Sequence, residues 1–229
     1  MKYKWVLFDA DDTLWDFSKS ARHALAKTIG HFKIKISPDY YDVYMGINKL
    51  VWDAYERHEI TSAELRTIRF EKFLDALGEY RDPEEMSSYY LLELSKTEFL
   101  IKGALPLLEQ LKRDGQQLCL ITNGLKDVQR PRIENTGFEK YFETIVISDE
   151  IGVAKPNASF FEYAFSEIGK PEKEEVIVIG DSLKSDIKGG NGFGLDTCWF
   201  NPKKNANLSK IQPTFEIDNL EATKPILYL

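Results

Sequence analysis

Asp9, Asp11, Thr122, Lys155, Asp181 and Asp186 are scattered along the chain, yet most of them stand just after a short apolar run. Asp9-Ala10-Asp11-Asp12-Thr13 follows Val6-Leu7-Phe8, and Thr122-Asn123-Gly124 follows Leu118–Ile121. Ala154-Lys155-Pro156 lies just past Thr144–Ile147, and Gly180-Asp181-Ser182 follows Val176–Ile179, with Asp186 a helical turn further on. If these runs are strands of one parallel sheet, a single edge collects the carboxylates, a lysine, a hydroxyl and two glycine-containing turns. That is the edge at which open α/β sheets bind ligands. Clustered carboxylates offer hard oxygen donors to a divalent cation. Singly, each residue has a plainer reading. Asp9 and Asp11 would pass for turn or helix-cap residues, Lys155 for a solvated loop lysine and Thr122 for a strand-end cap. Their joint occurrence in this order is the informative feature.

Strands and helices that could carry these residues to one edge alternate along the chain. Lys4–Phe8 reads as a strand ending at Asp9. From Phe17 to about Leu100 the pattern is helical, over Lys19–His31, Asp39–Arg57, Ser62–Leu77 and Pro83–Thr97. In the third of these, Leu65, Ile68, Phe73, Leu74 and Leu77 line one face while Arg66, Arg69 and Lys72 fall elsewhere. From Gly103 onward helices at Ala104–Arg113, Leu125–Asn135, Asn157–Ile168 and Leu183–Gly189 alternate with strands at Gln117–Ile121, Thr144–Ile147, Val176–Ile179 and Asp196–Phe200. A further short strand is expected near Thr214–Ile217, and Gly189 is expected to cap its helix. Short apolar strands separated by helices indicate a parallel sheet covered on both faces. The helical block interrupts that pattern, so residues 1–16 and 101–229 are expected to form an α/β core and residues 17–100 a helical insertion.

Composition narrows the partners. The chain has 229 residues and a formal net charge of −7, which disfavours a nonspecific grip on nucleic acid polymers or anionic membrane. An acidic protein that binds an anionic small molecule needs a local cation, such as a metal ion, in its site. No apolar run approaches the length of a bilayer span. Asp9 arrives after only four apolar residues, so no signal-peptide core is expected. Cys119 and Cys198 sit inside apolar runs and read as buried thiols of a cytoplasmic protein. His23, His31 and His58 lack zinc-ligand spacing and read as surface residues.

The set Asp9-x-Asp11-x-Thr13, Thr122, Lys155-Pro156 and Gly180-Asp181-Ser182…Asp186 resembles the four motifs of the haloacid-dehalogenase superfamily, and the helical block matches the place and length of that family's first-type cap. The resemblance implies a Rossmann-like parallel-sheet core with an inserted all-α four-helix cap. It also implies a magnesium-dependent phosphomonoester hydrolase working through an aspartyl-phosphate intermediate. A carboxylate attacking a phosphate ester is an anion approaching an anion, so a divalent cation must neutralise the encounter. By the resemblance, Asp9 is the nucleophile and a metal ligand, Asp181 a second ligand, and Asp11 a third through its backbone carbonyl. The Asp11 side chain is the general acid and base. Thr122, with the N–H groups of Asn123 and Gly124, and Lys155 would hold the phosphoryl group. Asp186 would orient Lys155 or a metal-bound water.

Within the family, the acidic Asp12 and the string Gly46-Ile47-Asn48…Trp52…Tyr55-Glu56, followed by Ile60-Thr61, Leu65-Arg66 and Arg69-Phe70, resemble bacterial pyrimidine 5′-nucleotidases of noncanonical nucleotides. That implies a pyrimidine nucleoside monophosphate as substrate, with Asn48 as the candidate base contact, since an amide both donates and accepts. Trp52 and Tyr55 read as cap core. A sugar-phosphate phosphatase, a phosphomutase and a non-catalytic binding module on the same fold are the alternatives. True dehalogenases need neither the metal set nor Asp11. The cap lysines Lys19, Lys27, Lys33, Lys35, Lys49 and Lys72 leave phosphonate cleavage open.

Overall fold

A computed structural model describes residues 2–35, 38–57 and 59–228; His58 lies outside them. The chain divides into two compact units, one of Met1–Phe17, Phe99–Lys126 and Thr136–Leu229, the other of Ser18–Glu98 with Asp127–Asn135.

The first unit is built on a parallel sheet. Its strands are β1 (Trp5–Phe8), β2 (Gln117–Thr122), β3 (Thr144–Ile147), β4 (Val176–Gly180), β5 (Asp196–Phe200) and β6 (Phe215–Ile217), in the order β3-β2-β1-β4-β5-β6. Every neighbouring pair is parallel, with Phe8 opposite Leu120 on one side and Ile179 on the other. All four residues of β1 are buried, which explains an apolar run without alternation: a central parallel strand is covered on both faces. On one face Trp5, Leu7, Cys119, Ile121, Val176 and Val178 pack with Phe160, Phe161 and Ala164. The alternate residues Val6, Phe8, Leu118, Leu120, Ile177 and Ile179 are buried as well.

The helices of the described residues are α1 (Phe17–Phe32), α2 (Tyr40–Glu56), α3 (Ser62–Leu77), α4 (Pro83–Ser95), α5 (Ala104–Arg113), α6 (Lys126–Asn135), α7 (Ser148–Ile151), α8 (Ala158–Glu167), α9 (Lys188–Phe193) and α10 (Thr223–Leu227). The second unit holds α1–α4 and most of α6. Its helix ends follow local chemistry. Thr61 and Glu64 form a capping box at the start of α3, and Gly78 closes it in the left-handed region at φ 66°. Asp82 accepts from the Glu84 N–H ahead of α4, with Pro83 in the first turn. Arg66 pairs with Asp127 at 3.0 Å, and Asn135 donates to the Ser95 carbonyl at 3.3 Å, which ties α6 to α3 and α4.

Two local expectations are corrected. Gly189 does not end its helix: Leu183–Ile187 forms a wide π turn that runs on into α9, and Gly194 caps it at φ 88°. A Cβ on Gly189 would stand 2.3 Å from the Phe161 ring and 3.1 Å from the Pro156 Cα, so the glycine serves close packing beside the Lys155-Pro156 loop. On α3, the buried residues are Leu65, Arg69, Phe70, Phe73 and Leu74, while Ile68 and Leu77 are only half-buried. Arg69, expected off the packed face, lies on it. His23 and His31 are exposed, as expected of residues without ligand spacing. Cys119 and Cys198 are free and buried. Burial pushes the Cys119 thiol up and that of Cys198 to about 12, so neither is a thiolate nucleophile. Among the described residues no helix is long and apolar enough to cross a membrane.

Candidate active site

The strand order reverses direction at β1, with β2 on one side and β4 on the other. A crevice opens at such a switch point beyond the strand ends. Asp9 leaves β1 there, its N–H still in the ladder with the Ile179 carbonyl at 2.9 Å. The chain then turns tightly: the Ala10 carbonyl accepts from the N–H groups of Leu14 (2.8 Å) and Trp15 (3.0 Å). Asp12 takes a left-handed φ of 58°, and its carboxylate accepts from the Phe17 N–H at 3.1 Å. Asp tolerates that region better than most residues because its short side chain bonds locally. This winding returns Thr13 to Asp9. The Thr13 hydroxyl donates to Asp9 Oδ2 at 3.1 Å and accepts from the Asp181 N–H at 3.1 Å, bridging the loops after β1 and β4.

Lys155 reaches the same point from the loop after β3. Its ammonium donates to Asp9 Oδ1 (2.7 Å), Asp186 Oδ1 (2.7 Å) and the Ile121 carbonyl (2.9 Å), which uses all three of its hydrogens. Asn123 holds the backbone behind it: Oδ1 accepts from the Lys155 N–H at 2.8 Å and Nδ2 donates to the Lys155 carbonyl at 2.9 Å. Asp186 is equally constrained, since its other oxygen accepts from the Ser182 N–H at 3.0 Å. Gly180 is a glycine because of this side chain: a Cβ there would lie 2.3 Å from Asp186 Oδ2. On β5, Trp199 Nε1 donates to the Asp181 carbonyl at 2.8 Å and fixes that backbone.

Carboxylate oxygens of Asp9, Asp181 and Asp186 lie within 4.8 Å of one another. Burial pushes the Asp9 carboxyl up to about 7; Lys155 opposes that, while Asp186 and Asp11 add to it. Burial, with the charges of Asp9 and Asp186, holds Asp181 well above its ordinary range. Burial alone would lower the Lys155 ammonium, but Asp186 and Asp9 outweigh it and the group stays charged. With all three carboxyls ionised the cluster would hold more negative charge than one ammonium balances, and burial together with this crowding is why Asp9 and Asp181 keep their protons more tightly than free carboxyls. Its donors are all carboxylate oxygens, without nitrogen or sulfur, and that set fits a hard divalent cation such as magnesium.

Of the residues singled out in the sequence, the fold gathers Asp9, Lys155, Asp181 and Asp186, and sets Asp11 close enough for its charge to act on Asp9. Thr122 is buried at the end of β2, where its Oγ1 accepts from the Gly124 N–H at 3.0 Å, so a phosphoryl oxygen would compete for that donor. Asn123 acts through its side chain on Lys155, a use that backbone reasoning did not foresee. Asn48 lies in α2 of the helical unit, 4 % exposed, and accepts from Arg69 Nη1 at 3.4 Å. Sequence reasoning missed the bridging role of Thr13 and the anchoring role of Trp199. Thr13 stood inside a recognised motif, but Trp199 is one aromatic residue in an apolar strand and carries no local signal.

Comparison with known proteins agrees with this geometry. A family model described as "haloacid dehalogenase-like hydrolase" matches residues 3–194. The chain is 33 % identical over 227 residues to the pyrimidine 5′-nucleotidase YjjG of Escherichia coli, covering 99 % of each chain. It is 34 % identical over 217 residues to the pyrimidine 5′-nucleotidase PynA of Streptococcus pneumoniae, covering 95 % of this chain and 92 % of that one. A magnesium-bound crystal structure of the HAD-hydrolase YfnB from Bacillus subtilis superposes with a TM-score of 0.93 at 35 % identity, covering 100 % of both chains. With the Asp9–Lys155–Asp186 cluster at the carboxyl edge of a six-stranded parallel sheet, the chain belongs to the haloacid dehalogenase-like hydrolase family.

Proposed function

We propose that the protein is a magnesium-dependent phosphatase of pyrimidine nucleoside 5′-monophosphates, with Asp9 as nucleophile. One observation carries the chemistry: Asp9 is held at both oxygens, by Lys155 and Thr13, beside Asp181 and Asp186. A carboxylate fixed in this way has its attack direction set before substrate arrives. Asp9 forms a bond to phosphorus as the ester P–O bond breaks, and the leaving alkoxide takes a proton from the Asp11 carboxyl. Water then attacks the same phosphorus, giving its proton to Asp11, and the acyl-phosphate bond to Asp9 breaks to release phosphate.

The oxygens of Asp9 and Asp181 with the Asp11 carbonyl would hold the cation, and bound magnesium would neutralise the approach of two anions and polarise the phosphoryl oxygens. Asp186 has both oxygens engaged by Lys155 and Ser182, which favours a role in orienting Lys155 over direct ligation. Because Lys155 has no spare hydrogen, it touches the phosphoryl group only by yielding a partner. Its first task is to balance Asp9. Thr122, Asn123 and Gly124 contribute the remaining phosphate contacts at the end of β2.

The substrate class rests on the nucleotidases YjjG and PynA, with Asn48 of the helical unit as a selectivity residue. A panel of UMP, dUMP, dTMP, AMP, GMP and hexose phosphates, assayed with magnesium and with a chelator, tests both parts. Hydrolysis without metal would sink the mechanism. A sugar phosphate ahead of every pyrimidine nucleotide would sink the substrate class and leave the phosphatase.

A further inference from the structure

The parallel ladder between β2 and β3 ends with Thr122 opposite Ile147. One residue further on, a side chain continues where the ladder stops: Ser148 Oγ donates to the Asn123 carbonyl at 2.9 Å. Ser148 is fully buried. Asn123 and Gly124 are half-buried, so their backbone can be reached from solvent. Asp149, the next residue, accepts from the Lys126 N–H at 3.1 Å. Ser148 and Asp149 therefore grip the loop after β2 at both of its ends.

A trans peptide is planar, with its carbonyl and its N–H pointing in opposite directions. The Asn123 carbonyl and the Gly124 N–H belong to one such plane, so whatever holds the carbonyl sets where the N–H points. That N–H donates to Thr122 Oγ1 at 3.0 Å. A phosphoryl oxygen arriving there takes over the Gly124 N–H, and the Thr122 hydroxyl turns its own hydrogen to the same ligand. The donor side of the plane thus changes partner while the carbonyl side stays with Ser148. The Asn123 side chain, bound to both backbone groups of Lys155, fixes where the residue sits. Ser148 fixes how its peptide is turned.

We infer that Ser148 is a positioning residue for phosphate binding, one that aims the Gly124 N–H by holding the Asn123 carbonyl from the neighbouring strand. This role presupposes the phosphatase reading above, in which Thr122, Asn123 and Gly124 receive the phosphoryl group. Without the hydroxyl the peptide can rotate, and its N–H meets the phosphoryl oxygen off line. Hydrogen bonds weaken steeply as they bend, and one to a charged oxygen has the most to lose.

The test is competitive inhibition by inorganic phosphate, with p-nitrophenyl phosphate as substrate, in wild type, Ser148→Ala and Ser148→Cys. The thiol is a weaker donor than the hydroxyl and closer to it in shape than a methyl group. Ki for phosphate should rise about tenfold in Ser148→Ala and by less in Ser148→Cys. KM should rise in step while kcat changes little, because the contact serves ground and transition state alike. Magnesium should raise the melting temperature of both variants as it does that of wild type, since Asp9 and Asp181 are untouched. A purely structural serine would reduce the folded fraction, lowering kcat and leaving Ki where it was, and that result overturns the role. So does a folded Ser148→Ala with wild-type Ki. If Ser148→Ala does not fold, Ser148→Cys decides by the same constant, and failure of both to fold makes Ser148 a packing residue. Thr122→Val separates the two levels: active enzyme whose Ki ignores this change binds phosphate elsewhere, and the reading of the β2 loop falls. Wild type that cleaves no phosphate ester with magnesium overturns the phosphatase reading itself.

Discussion

Lys155 Nζ lies 2.7 Å from Asp9 Oδ1 and, on its other side, 2.7 Å from Asp186 Oδ1, with Lys155 and Asp186 each 1 % exposed. One ammonium thus balances two buried carboxylates. Removing one member of such a group leaves uncompensated charge in the interior and costs about 3–5 kcal/mol. Lys155→Met should lose that much stability in urea titrations of the metal-free protein. Adding Asp186→Asn should restore part of it, because one of the two stranded charges is gone. A melting curve unchanged by Lys155→Met would show that the triad does not hold the site together.

Asp9→Asn keeps the size of the side chain and removes both nucleophile and metal ligand. The fold should survive, while kcat falls by roughly a thousandfold or more. Quenched wild-type enzyme should carry acid-stable, base-labile phosphate on Asp9, and the variant none. Near-normal turnover in Asp9→Asn would falsify the covalent route.

Magnesium should raise the melting temperature, because Asp9, Asp181 and Asp186 crowd more charge than Lys155 offsets. Linkage gives about 2.7 kcal/mol at a hundredfold excess over the dissociation constant. Asp181→Ala should cut this response sharply, with the melting temperature read against magnesium concentration in both proteins. Equal shifts in the two would place the ion elsewhere.

In the metal-free protein, acid should help rather than harm across the neutral range. Burial carries the Asp9 carboxyl up to about 7 in the folded protein, well above the ordinary carboxylate range. A group raised in this way stabilises the fold fully below its unfolded pKa and loses that contribution as pH climbs through its folded pKa. Asp181 is shifted in the same direction. Chelator-treated protein should therefore melt higher at pH 5.5 than at pH 8, and Asp9→Asn should show a shallower slope. Saturating magnesium should flatten the wild-type curve. A wild-type slope equal to that of Asp9→Asn would remove Asp9 from the account.

Substrate selectivity should depend on the helical unit. UMP, dUMP and dTMP should be hydrolysed with higher kcat/KM than AMP, GMP or hexose phosphates. Asn48→Ala should narrow the UMP-to-AMP ratio by about 1–3 kcal/mol, the cost of a buried polar group left unpaired. A ratio that does not move would take Asn48 out of recognition, whatever the preferred substrate proves to be.

The parallel sheet was legible in the amino-acid order, because β1 and β4 are short unbroken apolar runs, and such runs alternating with helical stretches fit strands covered on both faces. So were the loops that carry the chemistry, since the residues after each strand must share one edge. Helix ends such as Thr61 with Glu64 and Asp82 with Pro83 were legible for the same reason: their chemistry is local. Contacts between distant segments left no local trace and emerged with the folded chain. Thr13 meets the Asp181 N–H from 168 residues away, and Trp199 supports the Asp181 carbonyl from another strand. Gly180 yields its Cβ space to Asp186, and Gly189 yields its own to Phe161. Arg69 is the sharpest case. Helical spacing placed it off the apolar face because a charge is expected in water, whereas the folded unit buries it among Phe70, Tyr44 and Tyr90. Periodicity records the polarity of a residue, and only packing records whether a partner can hold that polarity inside.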